Sequence, residues 1–164
     1  MRRREYWASA CLCRVAALLH DAVEDQGGRP TLDRIRAEFG ERVAAIVEAC
    51  SDSIPEPGQA KPPWRARKEA YLVHLQAVAN AAAEDELSRS ILRVGAADKV
   101  HNLRSILADY RVLGEETWAR FNGGRDGRLW YYRSVVAIYR AGPPSRSVDV
   151  LAHVLGDLEG LVSS

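Results

Sequence analysis

Apolar residues recur at intervals of three and four along most of the 164-residue chain, and no run alternates apolar with polar residues as a half-buried strand would. Glycine and proline divide the pattern into segments of helical length. We therefore predict an all-α fold, a single bundle-like domain over residues 1–164. The predicted helices cover about residues 5–25, 32–39, 41–50, 64–82, 86–113, 128–140 and 147–162, and the segments 51–63 and 122–127 are predicted loops.

Several of the predicted helix ends rest on particular residues. The segment 27–30, with two glycines and a proline, is predicted to stop the first helix. Thr31 is predicted to cap the second helix, because a threonine hydroxyl can accept a hydrogen bond from a first-turn N–H group. Gly40 and Gly114 are predicted to end the second helix and the long fifth helix.

Composition and charge restrict the classes of partner and compartment. Hydrophobic residues make up 47% of the chain and charged residues 27%, with a formal net charge of +1. So small a charge gives no overall attraction to nucleic acid or to an anionic membrane, and neither is a predicted partner. Arg14 and His20 interrupt the apolar N-terminal stretch, so we predict neither an export signal nor a membrane span. The three cysteines match neither a disulfide set nor a zinc pattern, which predicts a reducing, cytoplasmic location.

The stretch "LLHDAVED" places four titratable residues in an apolar helical pattern. His20, Asp21, Glu24 and Asp25 are three and four residues apart, so on one helix they would converge near its C-terminal end. That end carries a partial negative charge, which disfavours carboxylates. A divalent cation bound by the imidazole and carboxylate groups would resolve the conflict. The alternative is a solvated face at the end of a helix.

A second polar group lies in "GAADKVHNLRSIL", within the predicted long helix. It forms a stripe of residues three and four apart: Asp98, His101, Asn102 and Ser105. Small residues precede Asp98 and would let another helix approach closely. A carboxylate at such a crossing is poorly solvated unless a positive charge meets it. A metal held jointly with His20 and Asp21 would supply that charge.

The segments "LLHDAVED" and "AADKVHNLRS" resemble the HD-domain metal-dependent phosphohydrolases, in the branch that contains the hydrolase domain of RelA/SpoT proteins and its small stand-alone relatives. The stretches "WRARKEAYLVHL" and "WARFNGGRDGRLWYYR" extend the resemblance over most of the chain. It implies a single HD-domain helical bundle. It also implies hydrolysis of the 3'-pyrophosphate of guanosine tetra- and pentaphosphate alarmones with a divalent metal, usually Mn²⁺.

The resemblance carries roles to individual residues. The implied metal ligands are His20, Asp21 and Asp98. The acidic pair implied to position or activate the attacking water is Glu24 and Asp25. The implied contacts to substrate are Asn102 and Ser105, toward the nucleotide sugar or phosphate, and Lys99, toward phosphate charge. His101 is expected to have a structural role that orients the metal ligands.

The chain departs from the family at its N-terminus. The family supplies one more metal-binding His from an earlier helix, whereas the 19 residues before His20 contain none. The first helices are therefore expected to be lost or replaced by "MRRREYWASACLC". Fewer ligands predict weaker metal binding, and uncovered apolar surface makes a homo-oligomer a candidate assembly. His74 and His153 lie in apolar helical patterns and are expected in the core or an interface.

Two other groups have a structural and a functional interpretation. The aromatic run 130–132 could stack on a purine, with Tyr131 as the candidate, but aromatic residues at helical spacing favour core packing. The basic residues Arg65, Arg67 and Lys68 could face phosphates, but a solvated helix face is the preferred interpretation.

The sequence therefore leaves two alternative hypotheses for the function. The first is a metal-dependent phosphohydrolase that removes pyrophosphate from a guanosine polyphosphate or related nucleotide by means of metal-activated water, with Mn²⁺ as the expected metal. The second is a degenerate HD module that binds a nucleotide, or acts as a helical interaction domain, without turnover. Dependence on metal distinguishes them.

Overall fold

The computed structural model describes the backbone of residues 2–163 and the side chains of residues 11–163. The first ten side chains, on which the expected replacement of the family's first helices partly depends, lie outside the described residues. The helices are α1 (Arg2–Leu19), α2 (Ala22–Asp25), α3 (Arg29–Phe39), α4 (Glu41–Cys50), α5 (Trp64–Ala81), α6 (Glu86–Leu113), a 3₁₀ helix (Gly114–Arg120), α7 (Gly124–Ala141) and α8 (Arg146–Val162). The described residues contain no strand, which confirms the predicted all-α fold.

Helix α6 is the centre of the bundle. It packs against α1, α4, α5, α8 and the 3₁₀ helix. Its N-terminus is capped by Asp85, whose carboxylate accepts hydrogen bonds from the N–H groups of Leu87 and Ser88. Gly114, with φ of +56°, ends the helix where the sequence predicted.

One position in α6 requires glycine for packing. A Cβ atom on Gly95 would lie 2.5 Å from the hydroxyl oxygen of Tyr139 in α7. Tyr139 is fully buried, so neither group has free space nearby. The sequence predicted that small residues at this point would let another helix approach closely; at Gly95 the group that approaches is instead the Tyr139 side chain.

The N-terminal part of the fold differs from prediction in two places. Helix α1 ends at Leu19 and a turn at His20 and Asp21 separates it from α2, so the predicted continuous helix to about residue 25 is wrong. Thr31 is also not an N-cap: α3 begins at Arg29, and the Thr31 hydroxyl instead donates to the carbonyl of Gln26.

Local geometry explains the earlier start of α3. Proline is favoured in a first helical turn, where Pro30 lies, because its missing N–H would have no helical partner there. Gly28 adopts a φ of +63°, and a Cβ atom on it would lie 2.0 Å from the carbonyl oxygen of Pro55. The Arg29 N–H group donates to that same oxygen at 3.2 Å, which joins the start of α3 to the loop after α4.

The core is continuous from α1 to α8. Its largest fully buried members include Leu32, Leu75, Leu103 and Leu151, from four different helices. Tyr131 and Tyr132 are also buried, which confirms core packing for these two members of the aromatic run. None of the helices in the described part of the chain combines the length and hydropathy that a membrane crossing needs.

Candidate metal centre

His20 and Asp21 lie at the joint between α1 and α2. The Nδ1 atom of His20 is 2.7 Å from the carbonyl oxygen of Ala17. A carbonyl can only accept a hydrogen bond, so Nδ1 carries the proton and donates it. This bond orients the imidazole and directs Nε2 away from α1.

Three side chains converge at His20 Nε2. This atom lies 3.1 Å from Asp21 Oδ2 and 3.1 Å from Oδ1 of Asp98, which α6 contributes from 78 residues further along the chain. One candidate ligand atom from each residue lies within 4.8 Å of the other two. The structure thus brings together the three predicted metal ligands, hereafter the His-Asp cluster.

Asp98 is the most buried member of the His-Asp cluster, with 8% of its side chain exposed. Its Oδ1 atom also accepts a hydrogen bond from Asn102 Nδ2 at 2.6 Å, and its Oδ2 atom is paired with the Lys99 ammonium. Burial alone would raise the pKa of this carboxyl, but its hydrogen bonds and ion pairs with His20 and Lys99 lower it overall. Asp98 is therefore held as a carboxylate.

The pKa of His20 is raised to about 10, first by its hydrogen bond to Asp21 and then by that to Asp98. Without a bound metal, the His20 imidazolium therefore lies between the two carboxylates and offsets one of their two negative charges. The donor set fits a divalent transition metal, since imidazole nitrogen and carboxylate oxygen together suit Mn, Fe or Zn. Metal-binding histidines usually donate their other N–H to a carbonyl or carboxylate, as His20 does to Ala17.

Glu24 and Asp25 lie in α2, but their environments differ. Glu24 is half-buried, and its Oε1 atom accepts a hydrogen bond from the Asp52 N–H group at 2.7 Å. Burial is the main cause of a raised pKa at Glu24, and the negative charge of Asp52 adds to it. Asp25 is exposed. Of the two, Glu24 has the fixed position and the raised proton affinity expected of a general base.

Basic residues surround Glu24, in a group that the sequence did not predict. The Asp52 side chain is only 4% exposed and accepts hydrogen bonds from both Arg67 and Lys68 of α5. Lys61 donates to the backbone carbonyl of Glu24 at 2.7 Å. These five residues are called the Glu24 cluster below. The predicted solvated helix face is wrong for Arg67 and Lys68, because both are largely buried against Asp52.

The two clusters meet around Tyr131. Burial raises the pKa of Tyr131 to about 12, and the charges of Asp98, Asp52 and Glu24 act on the same hydroxyl. The Lys68 ammonium lies 4.9 Å from the centre of the Tyr131 ring. The His-Asp cluster and the Glu24 cluster therefore share one electrostatic environment.

The predicted substrate contacts lie on α6 beyond Asp98. Lys99 is buried, directed toward Asp98, with its ammonium 5.3 Å from the centre of the Tyr71 ring. Asn102 and Ser105 are exposed; the Asn102 amide is bonded to Asp98, and the Ser105 hydroxyl donates to the carbonyl of His101 at 3.1 Å. Their contacts with substrate stay predictions, and Lys99 has a structural partner that its sequence position did not indicate.

The other histidines lie apart from the His-Asp cluster or beside it. His74 and His153 are exposed, so neither lies in the core, and a place in an interface stays a prediction for both. His101 is exposed and lines a pocket of about 220 Å³ together with His20 and Asp98. Small or apolar side chains complete the lining: Ala17, Val94 and Ala97.

An all-helical bundle in which an adjacent His-Asp pair meets an aspartate from a distant helix defines the class of HD-domain proteins. The chain belongs to this family: the family model described as "HD domain", of the RelA/SpoT type, matches residues 10–128, which include the whole His-Asp cluster and Glu24. No curated protein matches the chain.

Proposed function

We propose that the protein is a metal-dependent phosphohydrolase that removes pyrophosphate from a guanosine polyphosphate alarmone, or from a related nucleotide. The observation that carries this proposal is the convergence of the His-Asp cluster, with His20 Nε2 between two carboxylates and Nδ1 fixed by Ala17. Membership of the HD-domain family supports the reaction class. The choice of guanosine polyphosphate rests on the resemblance of the two motifs to alarmone hydrolases.

His20, Asp21 and Asp98 would hold the metal, for which we propose Mn²⁺. A bound divalent ion polarises a phosphoryl oxygen and lowers the pKa of a coordinated water toward neutrality. Lys99 keeps Asp98 ionised and fixes its Oδ2 atom, so the carboxylate is oriented before the metal arrives. With three protein ligands, a bound metal would keep coordination positions for water and substrate, as catalytic sites of this kind do.

Glu24 would accept the proton of the attacking water. The Asp52 N–H group holds one of its oxygens, and its raised pKa makes it a stronger base than an ordinary glutamate. Asp25, exposed in the same short helix, would help to position the water. No covalent intermediate is required.

The proposed substrate carries several negative charges, and the Glu24 cluster contains three basic residues that could offset them. Arg67, Lys68 and Lys61 would lower the cost of bringing a polyphosphate beside a carboxylate. Asn102 and Ser105 are exposed on α6 and could contact the nucleotide sugar or phosphate. The proposed partner is therefore a small nucleotide, with neither nucleic acid nor membrane involved.

The test is release of pyrophosphate from guanosine tetraphosphate by the purified chain, with Mn²⁺ and with a chelator. We expect Mn²⁺-dependent release that disappears in His20→Ala and Asp98→Ala. His153→Ala is a matched control, because His153 is 80% exposed on α8 and distant in sequence from both motifs. Equal release with and without metal, or no release of pyrophosphate from guanosine polyphosphates and related nucleotides, would reject the proposal.

One observation favours a second candidate, a degenerate HD module that binds a nucleotide without turnover. The protonated His20 and Lys99 already balance the charges of Asp21 and Asp98, so the His-Asp cluster is electrostatically satisfied without a metal. This candidate predicts nucleotide binding, measured calorimetrically, that is unaffected by chelator and by Asp98→Ala.

A further inference from the structure

We propose that His101 is a fourth protein ligand of the metal centre, in addition to the His-Asp cluster. The inference deepens the proposed function, because it rests on a metal being bound there. It differs from the role that the sequence suggested for His101, which was structural.

The first argument is position. His101 follows Asp98 by three residues on α6, and side chains with this spacing share a face of a helix. The same pocket of about 220 Å³ is lined by His101, His20 and Asp98. A metal bound by His20 and Asp98 would therefore lie at a surface that His101 also borders.

The second argument is the lack of any other partner for the ring. Among the side chains of residues 11–163, none forms a hydrogen bond or an ion pair with the His101 imidazole; only the backbone carbonyl of His101 is engaged, by Ser105. His20, in contrast, is fixed by Ala17. A histidine whose role is to orient neighbouring ligands would need a hydrogen bond to one of them.

The third argument is freedom to move into place. The His101 ring nitrogens lie outside the group of atoms that converge within 4.8 Å, so a change of side-chain rotamer must accompany binding. His101 is exposed, and exposed side chains exchange rotamers in picoseconds to nanoseconds. Ala17 and Ala97, which line the same pocket, have no atoms beyond Cβ that would obstruct the ring.

The fourth argument is the chemistry of the four ligands, which suits a divalent transition metal. A second imidazole would give two nitrogen and two carboxylate donors, a set that suits Mn²⁺, Fe²⁺ or Zn²⁺. Because a neutral imidazole adds no charge, the two carboxylates would still balance the divalent ion. A six-coordinate Mn²⁺ would keep two positions for water and substrate.

The experiment counts imidazole ligands directly. The full chain is loaded with Mn²⁺, and electron spin-echo envelope modulation measures the number of coordinated imidazole nitrogens, with histidine labelled by ¹⁵N for comparison. We expect two imidazoles in the wild type and in His153→Gln, and one in His101→Gln. The Kd for Mn²⁺, from the signal of the free ion, should rise at least about tenfold in His101→Gln and stay unchanged in His153→Gln.

The outcomes separate this inference from the proposed function. A single imidazole in the wild type, lost in His20→Ala and unaffected in His101→Gln, would overturn the role of His101 and leave the metal centre intact. No imidazole coordination in any variant would overturn the metal centre and this inference together. Circular dichroism of His101→Gln checks folding, which should be unchanged because the side chain is exposed.

Discussion

His20 uses its two ring nitrogens for different purposes. Nδ1 binds the carbonyl of Ala17, and Nε2 meets the carboxylates of Asp21 and Asp98. The tautomer that a metal requires is therefore fixed by the backbone. The same division of roles does not extend to Asp98, whose two oxygens are both engaged by protein groups.

At the residue scale, the two adjacent acids of α2 should differ in their contribution to catalysis. We expect Glu24→Gln to lower kcat by about 10² to 10⁴-fold, because it would remove the proposed general base, which is half-buried. Asp25→Asn should cost much less, since Asp25 is exposed. Steady-state kinetics on both variants measures the difference, and a larger loss in Asp25→Asn would assign the proton transfer to Asp25. The Kd for Mn²⁺ should be similar in both variants.

The raised pKa of Glu24 predicts a pH dependence. Glu24 must be ionised to accept a proton, so activity should fall as the pH drops through its pKa, which lies above that of an ordinary glutamate. A pH profile of kcat should therefore lose activity at a higher pH than a model glutamate would. In Glu24→Gln, this acidic limb should be absent from the residual activity; its persistence would assign the limb to another group.

At the scale of elements, the close approach of Tyr139 in α7 to the backbone of α6 requires a glycine at position 95. We expect Gly95→Ala to destabilise the protein by about 1–3 kcal/mol, because the added Cβ atom would collide with the Tyr139 hydroxyl. Tyr139→Phe removes that hydroxyl, which has no hydrogen-bond partner among the described residues. The double variant should therefore recover most of the loss, as measured by urea unfolding.

A matched glycine in α8 gives the control. A Cβ atom on Gly156 would have nothing within 4 Å, and Gly156 is exposed. Gly156→Ala should therefore stabilise the protein by about 0.5–1 kcal/mol, through helix propensity alone. If Gly95→Ala had the same stabilising effect, the close contact with Tyr139 would not be restrictive.

The elements themselves were largely predictable from the sequence, and the exceptions have local causes. The bounds of α4 and α6 follow from the apolar spacing and from Gly40 and Gly114. The interruption at His20 was not predictable from that spacing, because the apolar pattern continues through Ala22 and Val23. The 3₁₀ helix at Gly114–Arg120 was also missed, since its sequence, "GEETWAR", carries no periodic apolar pattern.

At the scale of the whole molecule, Asp52 connects the end of α4 to α2 and α5. Its N–H group binds Glu24, and its carboxylate binds Arg67 and Lys68. Asp52→Asn would leave two largely buried cations without their counter-charge, so we expect a loss of about 3 kcal/mol at pH 7. Asp33→Asn is the control; its exposed pair with Arg36 should contribute about 0.5 kcal/mol.

The pKa of Asp52 gives this prediction a pH dependence. Burial would raise it, but the hydrogen bonds and charges of Lys68 and Arg67 lower it overall. The carboxylate therefore stabilises the fold fully above the unfolded-state pKa of about 4, and this contribution is lost as the pH falls toward the lower folded-state pKa. The difference in unfolding free energy between wild type and Asp52→Asn should shrink in urea titrations below about pH 4. A constant difference would exclude the charge as its cause.

The site was predictable only in part, because its contacts cross long distances in sequence. The spacing within "LLHDAVED" and "AADKVHNLRS" indicated polar clusters, and the resemblance indicated that His20 and Asp98 should meet, as they do. The pairing of Asp52 with Lys68 has no comparable signal. Burial of Lys99 was also unpredictable, since a lysine beside a stripe of polar residues ordinarily lies in solvent.

The hydrogen bond from His20 to Ala17 also makes the end of α1 and the geometry of the site inseparable. Had α1 continued through Asp21, the backbone N–H of residue 21 would also donate to the Ala17 carbonyl, and the imidazole would have to share that acceptor. Substitutions that strengthen this stretch as a helix would therefore make the backbone more regular, but they would weaken the hydrogen bond that orients the His20 ring.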